Sequence, residues 1–416
     1  MPRRTLLALA SVIVLSINVP AVAQLLPGAP GLPSPPSVGL PDLPDRTRVL
    51  GRVEGAARRL TPELLAAARL DRLRDLVRAQ PRRLDIDELG QPVVRGEVLA
   101  VSPDPASLEA ARAAGFTVLR TDTDAELGLA LVALAPPKGV DVRKAVARLR
   151  QADPSGTYDY NHIYLGAGGA VPAPAAAPPG SGAAIKVGLL DTGVDARHAA
   201  FKGVRIEQRA FAGAARPSAH GTATAALLGA GKGSQILVAD VYGDGKTGGS
   251  ASSIVAALGW MAAQRAPVVN ISLVGPPNAA LAAAVRALSA RGCLLVAAVG
   301  NDGPAAPPLY PASYPGVIAV TGVDARRRPL PEAGKALHVD FAAPGAGLRS
   351  AKPGGGAASV RGTSFASPIV AGHLARLLPA PDPAGSTRAV ERLAASAQDL
   401  GAPGRDAVFG RGFVPQ

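Results

Sequence analysis

Beyond residue 184, short apolar runs alternate with segments of helical periodicity. IKVGLLD, QILVADVY, PVVNISLV and CLLVAAVG have strand length, while GTATAALLGA, SSIVAALGWMAA and NAALAAAVRALSARG stand between them. A strand that is apolar throughout is buried on both faces, and helices interleaved with such strands predict a parallel sheet covered on each side. Ligands of such sheets gather at the carboxyl ends of the strands, where Asp191 and Asn301 fall.

Upstream the pattern changes. VVRGEVLAVS alternates as a strand, PASLEAARAAG reads as a helix closed by Gly115, and FTVLRTD and LGLALVALAPP read as two strands. VDVRKAVARLRQA gives a second helix and GTYDYNHIYLG a final strand. Strand-helix-strand-strand-helix-strand is a ferredoxin-like order. The expected fold class is therefore α/β over residues 185–416, a parallel sheet flanked by helices, preceded by a small α+β ferredoxin-like domain over 91–170. The stretch VPAPAAAPPGSGAA, residues 171–184, is the linker between them. In the segment 61–90, Thr61 is an N-cap, Pro62 follows at the first helical position, and Leu65, Leu70, Leu73, Leu76 and Val77 keep near-helical spacing up to Gln80.

The first 23 residues start with Arg3 and Arg4, continue with the apolar run LLALASVIVLSINVPAVA and carry small residues at Ala21 and Ala23. This is the pattern of a secretory signal peptide. The run is barely long enough to span a bilayer and is broken by Asn18 and Pro20, so export to the periplasm or medium is expected, without stable membrane insertion. Residues 24–60 open on the proline- and glycine-rich LLPGAPGLPSPPSVGLPDLP, an extended segment.

Net charge is +13, unevenly spread: residues 24–170 carry 19 basic and 18 acidic side chains, and 171–416 carry 23 and 13. Aromatic residues make up 3% and are not interleaved with the arginines, so the basicity carries no nucleic-acid signature. The single cysteine, Cys293, excludes an intramolecular disulfide and lies in the apolar CLLVAAV as a core residue. With five histidines and one cysteine, no metal-ligand cluster of the usual spacing is present.

Three segments carry candidate chemistry: Asp191-Thr-Gly in LLDTGVD, His220-Gly-Thr in SAHGTATAA, and Gly362-Thr-Ser364 in RGTSFASP. A serine hydroxyl becomes a nucleophile when a histidine takes its proton, and that histidine needs a carboxylate to fix its tautomer. Each segment alone is weak. Asp-Thr-Gly also marks aspartic peptidases, but those need a second such aspartate, and Asp122-Thr123-Asp124 lacks the glycine. A lipase or esterase would present Gly-x-Ser-x-Gly, whereas Ser364 sits in Gly-Thr-Ser-Phe-Ala. The order Asp, His, Ser is one of the three known orders of a catalytic triad.

Taken together, LLDTGVD, HGTATAALL, VVNISLVGP, LLVAAVGNDGP, YPASYPGVIAVTG, FAAPGAGLRSA and RGTSFASPIVAG resemble the blocks of the subtilase family, in the family's order, over about residues 185–378. The resemblance implies a serine endopeptidase in which Ser364 is the nucleophile, His220 the general base and acid, and Asp191 the orienting carboxylate. It also implies that Asn301 supplies an oxyanion donor beside the backbone N–H of Ser364. Protein or peptide substrates would add as a strand along Thr247, Gly248, Gly249 and Ser250 on one side and Ser272, Leu273, Val274 and Gly275 on the other. The ferredoxin-like domain resembles the family's inhibitory propeptide, with its tail around Asn161–Gly169 in the cleft and autocleavage within about 165–184.

Several family positions differ here. Ala223 and Ile369 stand where histidines are common, outside the triad. Ala200 stands where many relatives carry a calcium-ligating aspartate, and the loop that completes that site is missing between LLGAGKGS and QILVADVY. No required metal or other cofactor is therefore expected. The expected partners are protein substrates and the chain's own propeptide, with a monomeric enzyme and no nucleic acid. The alternative is an inactive or permanently inhibited envelope scaffold, which has no chemical need for all four of Asp191, His220, Asn301 and Ser364.

Overall fold

The computed structural model describes residues 61–166, 169–170, 183–244 and 247–416, all in one compact unit. The expected signal peptide, the 24–60 extension and most of the 171–184 linker lie outside the described residues. The first element is helix α1 (Pro62–Ala79), followed by strands β1 (Leu84–Ile86) and β2 (Pro92–Val101), α2 (Pro105–Ala113), β3 (Thr117–Asp124), β4 (Leu129–Ala135), α3 (Val142–Ala152) and β5 (Tyr158–Gly166). Asp104 and Asp141 cap α2 and α3 by accepting from Ser107 and Lys144 N–H, and Gly115 ends α2 at φ +86°. β1 was not foreseen within 61–90. It is only three residues long and exists through its antiparallel pairing with the start of β2.

The second module adds β6 (Gly169–Ala170), β7 (Lys186–Asp191), β8 (Arg205–Ala210), α4 (Ala219–Leu227), β9 (Gln235–Asp240), β10 (Gly249–Ser250) and α5 (Ala251–Ala263). It continues with β11 (Val268–Ile271), β12 (Leu273–Val274), α6 (Ala279–Ala290), β13 (Leu294–Ala298), β14 (Val317–Val323), β15 (Phe341–Pro344), β16 (Leu348–Ala351), β17 (Ala357–Arg361), α7 (Thr363–Leu377) and α8 (Pro383–Ser396). Seven strands form one sheet in the order β15-β14-β13-β11-β7-β9-β8, every pair parallel. Apart from the partly exposed edge strand β8, its strands are buried on both faces: α5 and α6 cover one, and α4, α7 and α8 the other.

The small sheet runs β3-β4-β2-β5; its strands β2, β4 and β5 are largely buried, while the edge strand β3 is largely exposed. Alternation decides which residue faces which side. Val98, Ala100, Val132 and Leu134 join the module's own core under α2 and α3, while Leu99, Leu131 and Ala133 join the cluster built on α5 and α6. This explains why LALVALA in β4 is apolar throughout: each face has its own partner. Polar contacts fix the seam. Asn161 Oδ1 accepts from Ser252 N–H (3.0 Å) at the start of α5, and Asp159 Oδ2 from Ala279 N–H (2.7 Å) at the start of α6. β5 thus satisfies open N–H groups at two helix N-termini. His162 lies buried beside them, between Asp87 (3.2 Å) and Asn278 (3.1 Å).

Because Leu99 is fully buried in this seam, Leu99→Ala is expected to lower the stability of the intact chain by about 2–5 kcal/mol. A urea titration reads this as a lower midpoint, and an unchanged midpoint would contradict the docking.

Candidate active site

Asp191 ends β7, in the middle of the parallel sheet, with its side chain 1% exposed. A buried carboxylate is stable only when its oxygens are paired. Oδ1 accepts from Thr192 N–H (2.7 Å) and from His220 Nδ1 (2.7 Å), and Oδ2 accepts from the Thr224 hydroxyl (3.0 Å). His220 is the second residue of α4, whose N-cap Ser218 accepts its backbone N–H. Thr224 stands one turn further along the same helix, so α4 presents two side chains to one carboxylate. Gly221 lets the helix come this close: a Cβ there would lie 2.2 Å from Thr192 O.

Since an ionised carboxylate only accepts, Nδ1 carries the proton of the neutral imidazole and Nε2 is the basic nitrogen. Nε2 lies 3.0 Å from Ser364 Oγ. Ser364 is the second residue of α7 and fully buried. Gly362 precedes the helix at φ +135°, a conformation that side chains disfavour, and so sets the turn that aims Ser364 at His220. The Phe365 ring packs against the imidazole, with centroids 5.2 Å apart. Burial pulls the His220 pKa down, but the Asp191 charge and its hydrogen bond outweigh burial and hold the imidazole above its ordinary value.

Asn301 follows β13 and is locked to the start of α7. Its Oδ1 accepts from Thr363 N–H (2.9 Å), while Gly300 N–H donates to Thr363 Oγ1 (3.1 Å). With Oδ1 so engaged, the donor end of the amide is Nδ2. Ser272 lies beneath the serine, its hydroxyl donating to Ser364 O (2.9 Å).

β5 lies along this site. Ile163 and Tyr164 pair antiparallel with Ser250 and Gly249, and Leu165 and Gly166 pair with Val274 and Leu273. Gly248 and Gly275 are the close approaches of the two edges: a Cβ on Gly248 would meet Tyr164 O at 2.8 Å, and one on Gly275 the Tyr164 ring at 2.6 Å. Thr247 precedes the ladder, which runs through Gly249 and Ser250. A Cβ on Gly166 would lie 4.0 Å from His220 Nε2. Beyond Gly166, Gly169 and Ala170 pair with Arg361 and Val360 of β17, the strand that leads into Ser364. The chain therefore flanks Ser364 with a paired segment on each side.

The structure brings Asp191, His220 and Ser364 into one hydrogen-bonded series and sets Asn301 and the two edges around it. Sequence reasoning missed Thr224, Asp240 and Tyr242. Asp240 pairs in register with Asp191 on the neighbouring strand and accepts from Arg216, Tyr242 and Gly243 N–H. Burial raises its pKa, backbone hydrogen bonds oppose this, and the Asp191 charge adds to it. The Tyr242 hydroxyl donates to Tyr164 O (3.2 Å), steadying the strand in the cleft. The one available signal was a hydroxyl at i+4 from His220 in an otherwise alanine-rich helix.

Among the described residues no group of three or more histidine, cysteine, aspartate or glutamate side chains is placed to hold a metal ion. Around Ala200 the nearby polar groups are His198, whose Nδ1 accepts from Ala200 N–H and whose Nε2 meets Gly356 O, and the Asp195 carboxylate, whose oxygens accept from Arg197 and Gly354 N–H. That donor set does not suit calcium, which takes six to eight oxygens. Burial pushes the Cys293 thiol well above its ordinary range, as for an unreactive core residue.

A carboxylate, an imidazole and a hydroxyl in series at the carboxyl end of a parallel sheet are the arrangement of a serine hydrolase. Residues 182–412, more than half of the chain, match the model of the subtilase family. Subtilisin DY of Bacillus licheniformis is 31% identical over 249 residues, 56% of this chain and 89% of that protein. Subtilisin BL of Lederbergia lenta is 35% identical over 223 residues, 49% of this chain and 80% of that protein. Among solved structures, fervidolysin from Fervidobacterium pennivorans, a keratinolytic enzyme related to subtilisin, shares the fold with a TM-score of 0.63 at 19% identity, over 80% of this chain and 62% of that one. The chain belongs to the subtilase family and is a serine-type endopeptidase.

Proposed function

We propose that the protein is an exported endopeptidase made as an autoprocessed precursor, with Ser364 as nucleophile, His220 as proton carrier and Asp191 as the orienting carboxylate. The observation that carries this reading is the 2.7 Å and 3.0 Å series from Asp191 through His220 to Ser364, with the chain's own β5 paired on both edges in front of it. Ser364 Oγ attacks the carbonyl carbon as its proton passes to His220 Nε2, and Asp191 stabilises the imidazolium. The oxyanion is received by Asn301 Nδ2 and the N–H of Ser364 at the start of α7; a single such donor is worth about 10²–10³ in kcat in a subtilisin. Collapse breaks the C–N bond, His220 protonates the leaving amine, and water repeats the sequence in reverse to release the acid from Ser364.

Pairing along Gly249–Ser250 and Leu273–Val274 engages backbone and so accepts most extended peptides. In the precursor that peptide is β5, which supports reading the ferredoxin-like domain as the propeptide, with the scissile bond between Gly166 and Gly169, close to the domain's end and inside the expected 165–184. The N-terminal pattern supports removal of residues 1–23 on export to the periplasm or medium. No described helix is long and apolar enough to cross a membrane. The mature enzyme acts as a monomer on protein substrates, without a metal or nucleic acid.

The wild-type chain is expected to yield a new N-terminus between residues 167 and 169 and to hydrolyse casein, equally well in EDTA. Ser364→Ala should remain full length and inert. Mass spectrometry of both chains checks this; a wild type that stays intact and inert would instead favour a permanently inhibited scaffold.

The raised His220 pKa sets a pH dependence. Only the neutral imidazole takes the serine proton, so kcat/KM should fall with acid along a limb centred above 6.5, the ordinary histidine value. Asp191→Asn removes both raising effects and leaves burial, so the limb should move below that value while kcat falls about 10⁴-fold. A limb unmoved by Asp191→Asn would contradict the pairing.

A further inference from the structure

Along α1, Leu65, Arg69 and Leu73 recur at four-residue spacing and share one face. Sequence periodicity assigns Leu70 to that face, yet Leu70 is exposed and Arg69 is buried. A guanidinium is buried only where its charge is met. Arg69 Nε lies 3.0 Å from Asp302 Oδ2, and its NH2 donates to Gln91 Oε1 (2.8 Å) beside β2. Arg72, two-thirds exposed, pairs with Asp302 Oδ1.

Asp302 is the residue after Asn301, and its side chain is 10% exposed beneath these two arginines. Gly303, at φ +80°, is covered by Leu65: a Cβ there would lie 2.9 Å from Leu65 Cβ. Gly303 N–H donates to Glu332 O, and the Glu332 carboxylate holds Arg361 (2.6 and 3.0 Å), three residues before Ser364. α1 therefore rests on a loop fastened to the start of α7 from two directions, through Asn301 and through Glu332.

We propose that α1 is a second inhibitory element of the precursor, in which Arg69 and Arg72 grip Asp302 beside the oxyanion asparagine and hold the propeptide on the enzyme after the 166–169 junction is cut. This rests on the peptidase reading above. β5 fills the cleft, but once cut it is retained only by contacts that the rest of the module shares. The α1 clamp adds an ionic hold at a separate point, joined to the module through Gln91. On release, Asp302 loses both cations and opens to solvent.

The test follows hydrolysis of a short chromogenic peptide as the full chain processes itself, with cleavage monitored on gels. Wild type should show a lag that outlasts cleavage and shortens with added salt. Arg69→Ala/Arg72→Ala should shorten the lag at least about tenfold, as expected when one side of a buried charge pair is removed. Final activity should be unchanged, because residues 61–79 leave with the propeptide. Arg72→Ala alone, at an exposed site that cannot collapse the helix face, should shorten the lag partway. In the uncut Ser364→Ala background, hydrogen exchange should rise over 61–79 and at Gly303 while 92–101 and 158–166 stay protected. Equal lags in active chains, or loss of protection throughout the module, would overturn the clamp alone. A wild type that stays inert after residues 61–166 are digested away would overturn the peptidase reading together with it.

Discussion

A carboxylate buried at the end of β7, an inner strand of the parallel sheet, organises the catalytic module. Asp191 cannot keep its charge away from water unless its oxygens are met by donors, and the groups that meet it are the ones that define the site. Thr192 N–H turns the chain as it leaves β7. α4 is drawn close enough that only glycine fits at position 221, and it delivers both His220 and Thr224 to the same carboxylate. With Nδ1 committed to Asp191, Nε2 has one available orientation, and α7 places Ser364 there. Disturbing any of these packings would reach Ser364 through Asp191.

β5 joins that site to the N-terminal module. Its first half belongs to the ferredoxin-like sheet through β2, and its second half is gripped between β10 and β12. The same strand caps α5 and α6. One extended segment thus serves as core strand, helix cap and occupant of the cleft. Such sharing means that the ferredoxin-like sheet and the two edges order together, because β10 and β12 are two-residue strands whose ladder partner is β5.

Much of this was legible in the chain. Apolar runs bounded by helical segments marked a parallel sheet and four of its strands, β7, β9, β11 and β13, whereas the polar β8 carried no such run. The order of Asp191, His220 and Ser364 pointed to the candidate site, because each stands at a strand end or helix start that local pattern marks. What escaped detection depends on tertiary pairing. β1, β10 and β12 are too short to carry a period of their own. Arg69 broke the periodicity of α1 because a charge on the loop beneath it outweighed the leucine spacing. The unbroken apolar run of β4 was a visible hint that both faces of the small sheet are covered, and only the docked partner explains it.

The most direct measurement is active-site labelling with a fluorophosphonate, which reacts only with a serine whose proton has been taken up by a neighbouring base. After residues 61–166 are removed, one label per chain is expected on the peptide that contains Ser364. The uncut chain should resist labelling because β5 lies in the cleft. Absence of label from the processed chain, or label on a different residue, would contradict the Asp191–His220–Ser364 relay.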